Sequence, residues 1–218
     1  MLQALLKHKL KDSFKNCSFE PSEESKTSSV FGLLQYLPAQ TMWDLLRQSC
    51  GKNPPPIKDS GDNVMIHFWP RWNTRTYREP DVFFEFERFN VIVEAKKDDY
   101  FGQDKEQWKN EIDAYRSMYP KDDKELIFIA FGGNQSLISQ KLIKKSHVCL
   151  ASWQNLLNAI DKINKECSNN EQKRILSDII RAFNKHNFFC IEWLETLGID
   201  KKNININSKN IFESWKIN

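Results

Sequence analysis

The chain reads as an α/β (α+β) protein in which a mixed central β-sheet is flanked by helices. Three observations predict this. Short β-branched and aromatic runs cluster between residues 64 and 95, two nearly all-apolar runs follow with helical patterns between and after them, and helical patterns precede the whole set. Helices, then three meandering strands, then helix, strand, helix, strand is the order of a mixed sheet covered by helices. Residues 1–165 are assigned to this domain, including its N-terminal helices. Residues 166–218 are assigned to a C-terminal helical extension packed on it.

The elements follow in order. Residues 1–15 have the pattern of a short amphipathic helix, too charged for the apolar core of a signal peptide. Ser22 is a natural N-cap for a helix running to Pro38, with Val30, Leu33, Leu34 and Leu37 as its apolar stripe. A helix over 41–50 ends at the break Gly51-Lys52-Asn53-Pro54-Pro55-Pro56. Val64–Phe68, Val82–Phe86 and Val91–Ala95 are strands. A helix spans 103–118 and stops before Pro120. Leu126–Phe131 is apolar enough to be buried on both faces. Residues 135–145 read as helix, His147–Ala151 as a second buried strand, and Ser152 caps a helix to about residue 165. Further helices are expected over 171–185 and 191–197.

With 218 residues the chain can bury one good core, and a net charge of +3 confines any nucleic-acid surface to a local patch. Five cysteines occur with no Cys-x-x-Cys or Cys/His spacing, which points to reduced thiols rather than disulfides or zinc. No apolar run approaches the length needed to span a membrane. The expectation is a cytoplasmic protein with no membrane partner.

The most informative stretch is Pro80-Asp81 followed by Glu94-Ala95-Lys96. The turn candidate between them is Glu87-Arg88-Phe89-Asn90. A two- or four-residue loop there pairs residues whose numbers sum to an odd value, which puts Asp81 on one sheet face with Glu94 and Lys96. Two carboxylates brought together repel, so one takes up a proton or both share a cation. Mg²⁺ favours one or two carboxylates with waters and phosphate oxygens. Lys96 would then orient the attacking water or offset charge developing on a phosphate. A solvated strand end with an ordinary ion pair meets the spacing equally well.

At these residues the chain resembles the PD-(D/E)xK nuclease superfamily, whose fold is called restriction-endonuclease-like. Pro80-Asp81, Glu94-Ala95-Lys96 at the end of an apolar strand, and the helix beyond carry the resemblance, over about residues 20–155. It implies a four-stranded mixed core flanked by helices, and Mg²⁺-dependent hydrolysis of DNA, less often RNA, with Mn²⁺ as a possible substitute. It makes Asp81 and Glu94 metal ligands and Lys96 the catalytic lysine.

Many members also carry a glutamate on the helix before the core strands. Glu23 and Glu24 are the candidates. At about 100° per residue Glu23 shares the stripe of Val30, Leu34 and Leu37, whereas Glu24 points aside, toward Phe31. A carboxylate on a core-facing stripe needs a charge partner or a metal, which favours Glu23. The helix dipole also favours acids in a first turn, without any site. Some members place a Gln and a Tyr on the helix after the lysine strand. Gln107, Glu111 and Tyr115 share one side of that helix here, so Gln107 is the supporting candidate, with Gln103 as its alternative and Tyr115 read as core.

The strip Trp69-Pro70-Arg71-Trp72-Asn73-Thr74-Arg75-Thr76-Tyr77-Arg78 leads into Asp81. Arginines pair with phosphates and aromatic rings stack on bases, so Arg71, Arg75 and Trp72 are the candidate nucleic-acid contacts. For Trp69 and Trp72 taken singly, burial in the core is the stronger reading, while for Arg71 and Arg75 a surface role offsetting Glu79 and Asp81 weighs about equally. Gly132-Gly133-Asn134 lacks the lysine and spacing of a phosphate loop and reads as a strand-to-helix turn.

The expected function is a metal-dependent nuclease acting on DNA, with Glu23, Asp81, Glu94, Lys96 and Gln107 at the site. By resemblance it belongs to antiviral defence or DNA processing, under the control of a homo-oligomer or a partner protein. The alternatives are a catalytically inactive nucleic-acid-binding or assembly module that keeps the fold, and an interaction protein docking through its C-terminal helices.

Overall fold

The computed structural model describes residues 3–4, 14–15, 18–73, 77–134, 142–143 and 145–190. Among them, five helices of eight residues or more surround a six-stranded sheet. The helices are α1 (Glu23–Leu34), α2 (Ala39–Ser49), α3 (Lys105–Met118), α4 (Trp153–Glu166) and α5 (Asn170–Lys185). The strands are β1 (Val64–Phe68), β2 (Val82–Phe86), β3 (Phe89–Ala95), β4 (Glu125–Phe131), β5 (Leu142–Ile143) and β6 (Ser146–Ala151), in the spatial order β1-β2-β3-β4-β6-β5.

The first three strands form an antiparallel meander. β3, β4 and β6 run parallel, and β5 returns antiparallel at the edge. The sheet is therefore mixed. Its parallel centre reads as near-continuous apolar sequence because helices cover both faces.

Alternation along the strands sorts side chains between two cores. Val82, Phe84, Val91, Val93, Ala95, Ile127, Ile129 and Phe131 face α1, α2, α4 and α5. Phe83, Ile92, Phe128 and Ala130 face α3, where they meet Trp108, Ile112 and Tyr115. On the first side Phe31 is fully buried, with ring centroids 6.0, 5.5 and 5.7 Å from Phe84, Phe131 and Trp153. Truncating such a ring to alanine costs about 3–5 kcal/mol. Leu176, Ile179 and Phe183 of α5 enter the same core, so the described part of the C-terminal extension packs against the sheet's helical layer.

Local chemistry sets the helix ends that position the site. Ser22 and Ser25 form a reciprocal capping box, with Ser25 N donating to Ser22 Oγ at 3.1 Å and Ser22 N donating to Ser25 Oγ at 2.9 Å. This starts α1 at Glu23. Asp104 caps α3 by accepting from Glu106 N, so the helix begins at Lys105 rather than at residue 103.

Three expectations are corrected. Leu142–Ile143 is strand rather than helix, because it pairs with Ser146 and His147 across a tight return; residues 135–141 lie outside the described part. Phe14–Lys15 pairs with Ser18–Phe19 as a short antiparallel ribbon instead of ending a helix. The described sheet has six strands, one more than the five read from the sequence, the addition being Leu142–Ile143. The helix expected over 191–197 lies outside the described residues. No described helix is long and apolar enough to cross a membrane.

Candidate metal centre

A two-residue loop, Glu87-Arg88, joins β2 to β3, and the register pairs Val82 with Val93. One step farther, Asp81 stands across from Glu94, on the sheet face that carries Phe83 and Ile92. The odd-sum parity expected from the turn is thus the observed one. α1 brings its first residue, Glu23, to the same end of the sheet. One carboxylate oxygen from each of Glu23, Asp81 and Glu94 lies within 4.8 Å of the other two.

Each group is fixed by its surroundings. Asp81 is 7% exposed; its Oδ2 accepts from Ala95 N at 2.8 Å and its Oδ1 from Trp69 Nε1 at 3.0 Å. Glu94 is 4% exposed, and Gln103 Nε2 donates to its backbone carbonyl at 2.9 Å. Trp108 Nε1 in turn donates to Gln103 Oε1 at 2.7 Å, tying that glutamine to α3.

Lys96 follows the end of β3. Its backbone N donates to Phe131 O at 2.8 Å, and its carbonyl accepts from Trp153 Nε1 at 2.7 Å. Its ammonium stands 2.5 Å from Glu94 Oε1 and 3.9 Å from Glu23 Oε1. Its stem is confined by Gly133, which sits at φ +62°, where a Cβ would lie 2.8 Å from Lys96 Cγ. Gly133 therefore leaves room for the Lys96 stem, while Gly132, at φ +70°, lies against Asp98 O and Trp153.

Electrostatics shows the strain of this gathering. Burial pushes the Asp81 carboxyl well up, and the charges of Glu94 and Glu23 push it further. Glu23 is raised by burial and by Glu94, with Lys96 opposing. Burial works against the Lys96 charge, yet Glu94, Glu23 and Asp81 together hold its pKa above the ordinary value. Three carboxylates with one ammonium are short of positive charge. A divalent cation removes that deficit. The donor set is all oxygen, the choice of hard cations such as Mg²⁺ and Mn²⁺, with no thiolate or imidazole to favour zinc. Glu23, Asp81 and Glu94 are the residues that would hold it.

The remaining candidates divide. Gln107 Nε2 donates to Glu111 Oε1 at 2.9 Å, while Gln103 is the glutamine that touches Glu94. Arg71 is exposed and pairs with Glu79 at 3.4 Å. Arg75 lies outside the described residues. Trp72 is a correction: at 2% exposure it is packed against Phe83, Tyr115 and Tyr119, so its ring is closed to a base.

Sequence reasoning passed over three residues. Trp69 orients Asp81. Lys26, one turn along α1 from Glu23, is buried and donates through Nζ to Lys97 O. Glu111 is buried on α3 behind Glu94. For Glu111 a signal existed, because a carboxylate sits inside the apolar pattern of Trp108, Ile112 and Tyr115. Cavity size does not locate the chemistry: a groove of about 1000 Å³ between α1 and α5, walled by Gly32, Tyr36, Arg181 and His186 among others, contains none of these groups.

No protein-family profile matches the chain, and no curated protein matches it. Among solved structures, it is similar to a chain in a refined half-complex from a tetradecameric assembly of Thermococcus gammatolerans McrB AAA+ hexamers with bound McrC. The identity is 8% and the TM-score 0.26, over 53% of this chain and 28% of that one. A likeness at that level carries no argument about fold or function.

Proposed function

We propose that the chain is a divalent-cation-dependent nuclease that hydrolyses phosphodiester bonds, with DNA as the first substrate to test. One observation carries this reading. Three carboxylates, from the residue before β2, from β3 and from α1, meet within 4.8 Å, and an ammonium lies 2.5 Å from one of them and 3.9 Å from another. Such a set offers cation-holding oxygens and a positive charge beside them at one end of the sheet. Glu23, Asp81 and Glu94 hold the cation, which when bound supplies a polarised water and a counter-charge for phosphate oxygens. Lys96 orients that water or offsets charge that develops on the phosphate. Gln103 keeps Glu94 in place from behind. The restriction-endonuclease-like fold belongs to the same proposal.

The test is direct. The protein is incubated with linear, circular and single-stranded DNA and with RNA, in Mg²⁺, Mn²⁺ or EDTA, alongside Asp81→Ala and Lys96→Ala. Cation-dependent cleavage that disappears in both variants supports the reading. Binding without cleavage in any cation, unchanged in both variants, replaces it with a non-catalytic nucleic-acid-binding module.

A further inference from the structure

The sheet-facing stripe of α3 is apolar except at one position. Trp108, Glu111, Ile112, Ala114 and Tyr115 are buried on it, and Glu111 is only 2% exposed. That stripe packs on Phe83 and Ile92. Asp81 and Glu94 continue the same rows by one alternation step, so the Glu111 carboxyl is buried on their side of the sheet. Glu94, Asp81 and Lys96 all act on it electrostatically.

Its two oxygens differ. Oε1 accepts from Gln107 Nε2 at 2.9 Å. Oε2 is buried with no hydrogen-bond partner among the described residues. An unmet carboxylate oxygen at such a depth carries a desolvation cost that a missing donor would relieve. Glu111 is not among the oxygens that lie within 4.8 Å of one another, so it is not one of the three gathered ligands. Mg²⁺ and Mn²⁺ keep several waters when a site supplies few ligands, and those waters are strong donors.

We propose that Glu111 is a positioning residue of the cation centre, accepting through Oε2 a hydrogen bond from a water bound to the cation on its α3 side. Gln107 acts through Glu111 by fixing its other oxygen. This gives α3 a role in setting the hydration of the centre, and it rests on the cation-binding part of the reading above, not on the cleavage.

The experiment measures Mn²⁺ binding by calorimetry and the exchange of Mn²⁺-bound water by ¹⁷O NMR relaxation, without nucleic acid. Wild type is compared with Glu111→Gln, Glu111→Ala and Gln107→Ala, each first shown to be folded by circular dichroism. Removal of an outer carboxylate weakens a metal about ten- to a hundred-fold. Expected are a loss of that size in both Glu111 variants, a smaller loss in Gln107→Ala, and faster water exchange in all three. Wild-type affinity and wild-type exchange in Glu111→Ala overturn the proposal, and Gln107→Ala supplies the same readout should the Glu111 variants not fold. Wild type that binds Mn²⁺ in this way yet cleaves nothing sinks the nuclease reading and leaves this one standing. Wild type that binds no Mn²⁺ sinks both.

Discussion

Trp69 holds Asp81 twice. Its backbone N donates to Asp81 O at 3.0 Å, and its indole Nε1 donates to Asp81 Oδ1 at 3.0 Å. It does so from a left-handed backbone conformation, φ 46°, which a bulky residue adopts only where the surroundings enforce it. With Ala95 N on Oδ2, both oxygens of Asp81 are oriented, and each keeps a lone pair for a cation.

Trp69→Phe keeps most of the ring and removes the donor. A hydrogen bond to a charged group contributes about 1.5–3 kcal/mol. The variant is expected to lose up to that much stability in urea denaturation and to bind Mn²⁺ several-fold more weakly. Unchanged midpoint and affinity would show the second grip to be idle.

A cation held by the native carboxylates and not by the unfolded chain stabilises the fold by mass action, about 2.7 kcal/mol at a hundred times its dissociation constant. For a chain of this size each kcal/mol moves the melting temperature about 2–4 °C. Saturating Mn²⁺ is therefore expected to raise Tm by about 5–10 °C, and EDTA to reverse the rise. Asp81→Asn and Glu94→Gln are expected to abolish the effect while Glu24→Gln retains it. An equal rise in all four proteins would place the ion elsewhere.

In the cation-free protein the raised carboxyls are expected to make a contribution to stability that falls as pH rises. Asp81, Glu111 and Glu23 are all raised, chiefly by burial, with neighbouring carboxylates adding to the shift and Lys96 opposing it. Raised carboxyls bind protons more tightly in the folded than in the unfolded chain. Their contribution is complete below the ordinary carboxylate range, about pH 4, and is lost as pH climbs through the folded values. Urea midpoints in EDTA should drop across that interval, Glu111→Gln should drop less, and saturating Mn²⁺ should flatten both. A midpoint that rises with pH through the same interval, in EDTA, contradicts the crowding of these carboxyls.

What was legible in the sequence followed rigid periodicities. Period-two alternation and an even-length turn place Asp81 with Glu94, and the helical angle picks Glu23 over Glu24 for the core side. What was hidden depends on packing between distant segments. Trp72 sits among arginines that suggest a stacking ring, and its burial, the stronger reading of the residue alone, comes from Phe83 and Tyr115, far off in sequence. β5 has only two residues and exists through its pairing with β6, so no local pattern announces it. α1 is buried on all sides over Ser25, Lys26, Thr27, Ser28 and Ser29, a polar string that no hydrophobic stripe predicts, before the apolar Val30, Phe31 and Leu34.

Gly133 lies against Lys96. A methyl group there meets Lys96 Cβ at 2.9 Å and Cγ at 2.8 Å, from a backbone at φ +62° that alanine adopts with strain. Relief moves the lysine stem and with it the ammonium. Gly133→Ala is expected to lower cleavage at least tenfold, since small misplacements at a reacting centre reach about a hundredfold, while Mn²⁺ affinity changes little. Equal losses in both would mean that the carboxylates, not the lysine, had shifted.

Lys26 is a buried lysine on α1, one turn from Glu23. Its ammonium donates to Lys97 O and stands 4.3 Å from the ring centroids of both Trp153 and Phe188. Burial lowers its pKa to about 7, against the partial support of Asp99, Asp98 and Glu23. Between that value and the ordinary 10.5 the unfolded chain holds more protons than the folded one, so stability due to this group rises with pH. The slope approaches about 1.4 kcal/mol per pH unit for one proton. Lys26→Met keeps the length and apolar stem and removes the charge. In urea denaturation at pH 6, 7, 8 and 9, wild type should gain on the variant above pH 7 and hold a constant difference below it. A difference that stays flat across the whole range would mean that Lys26 keeps its proton through the interval, and that the hydrogen bond to Lys97, next to Lys96, does not weaken in alkaline solution.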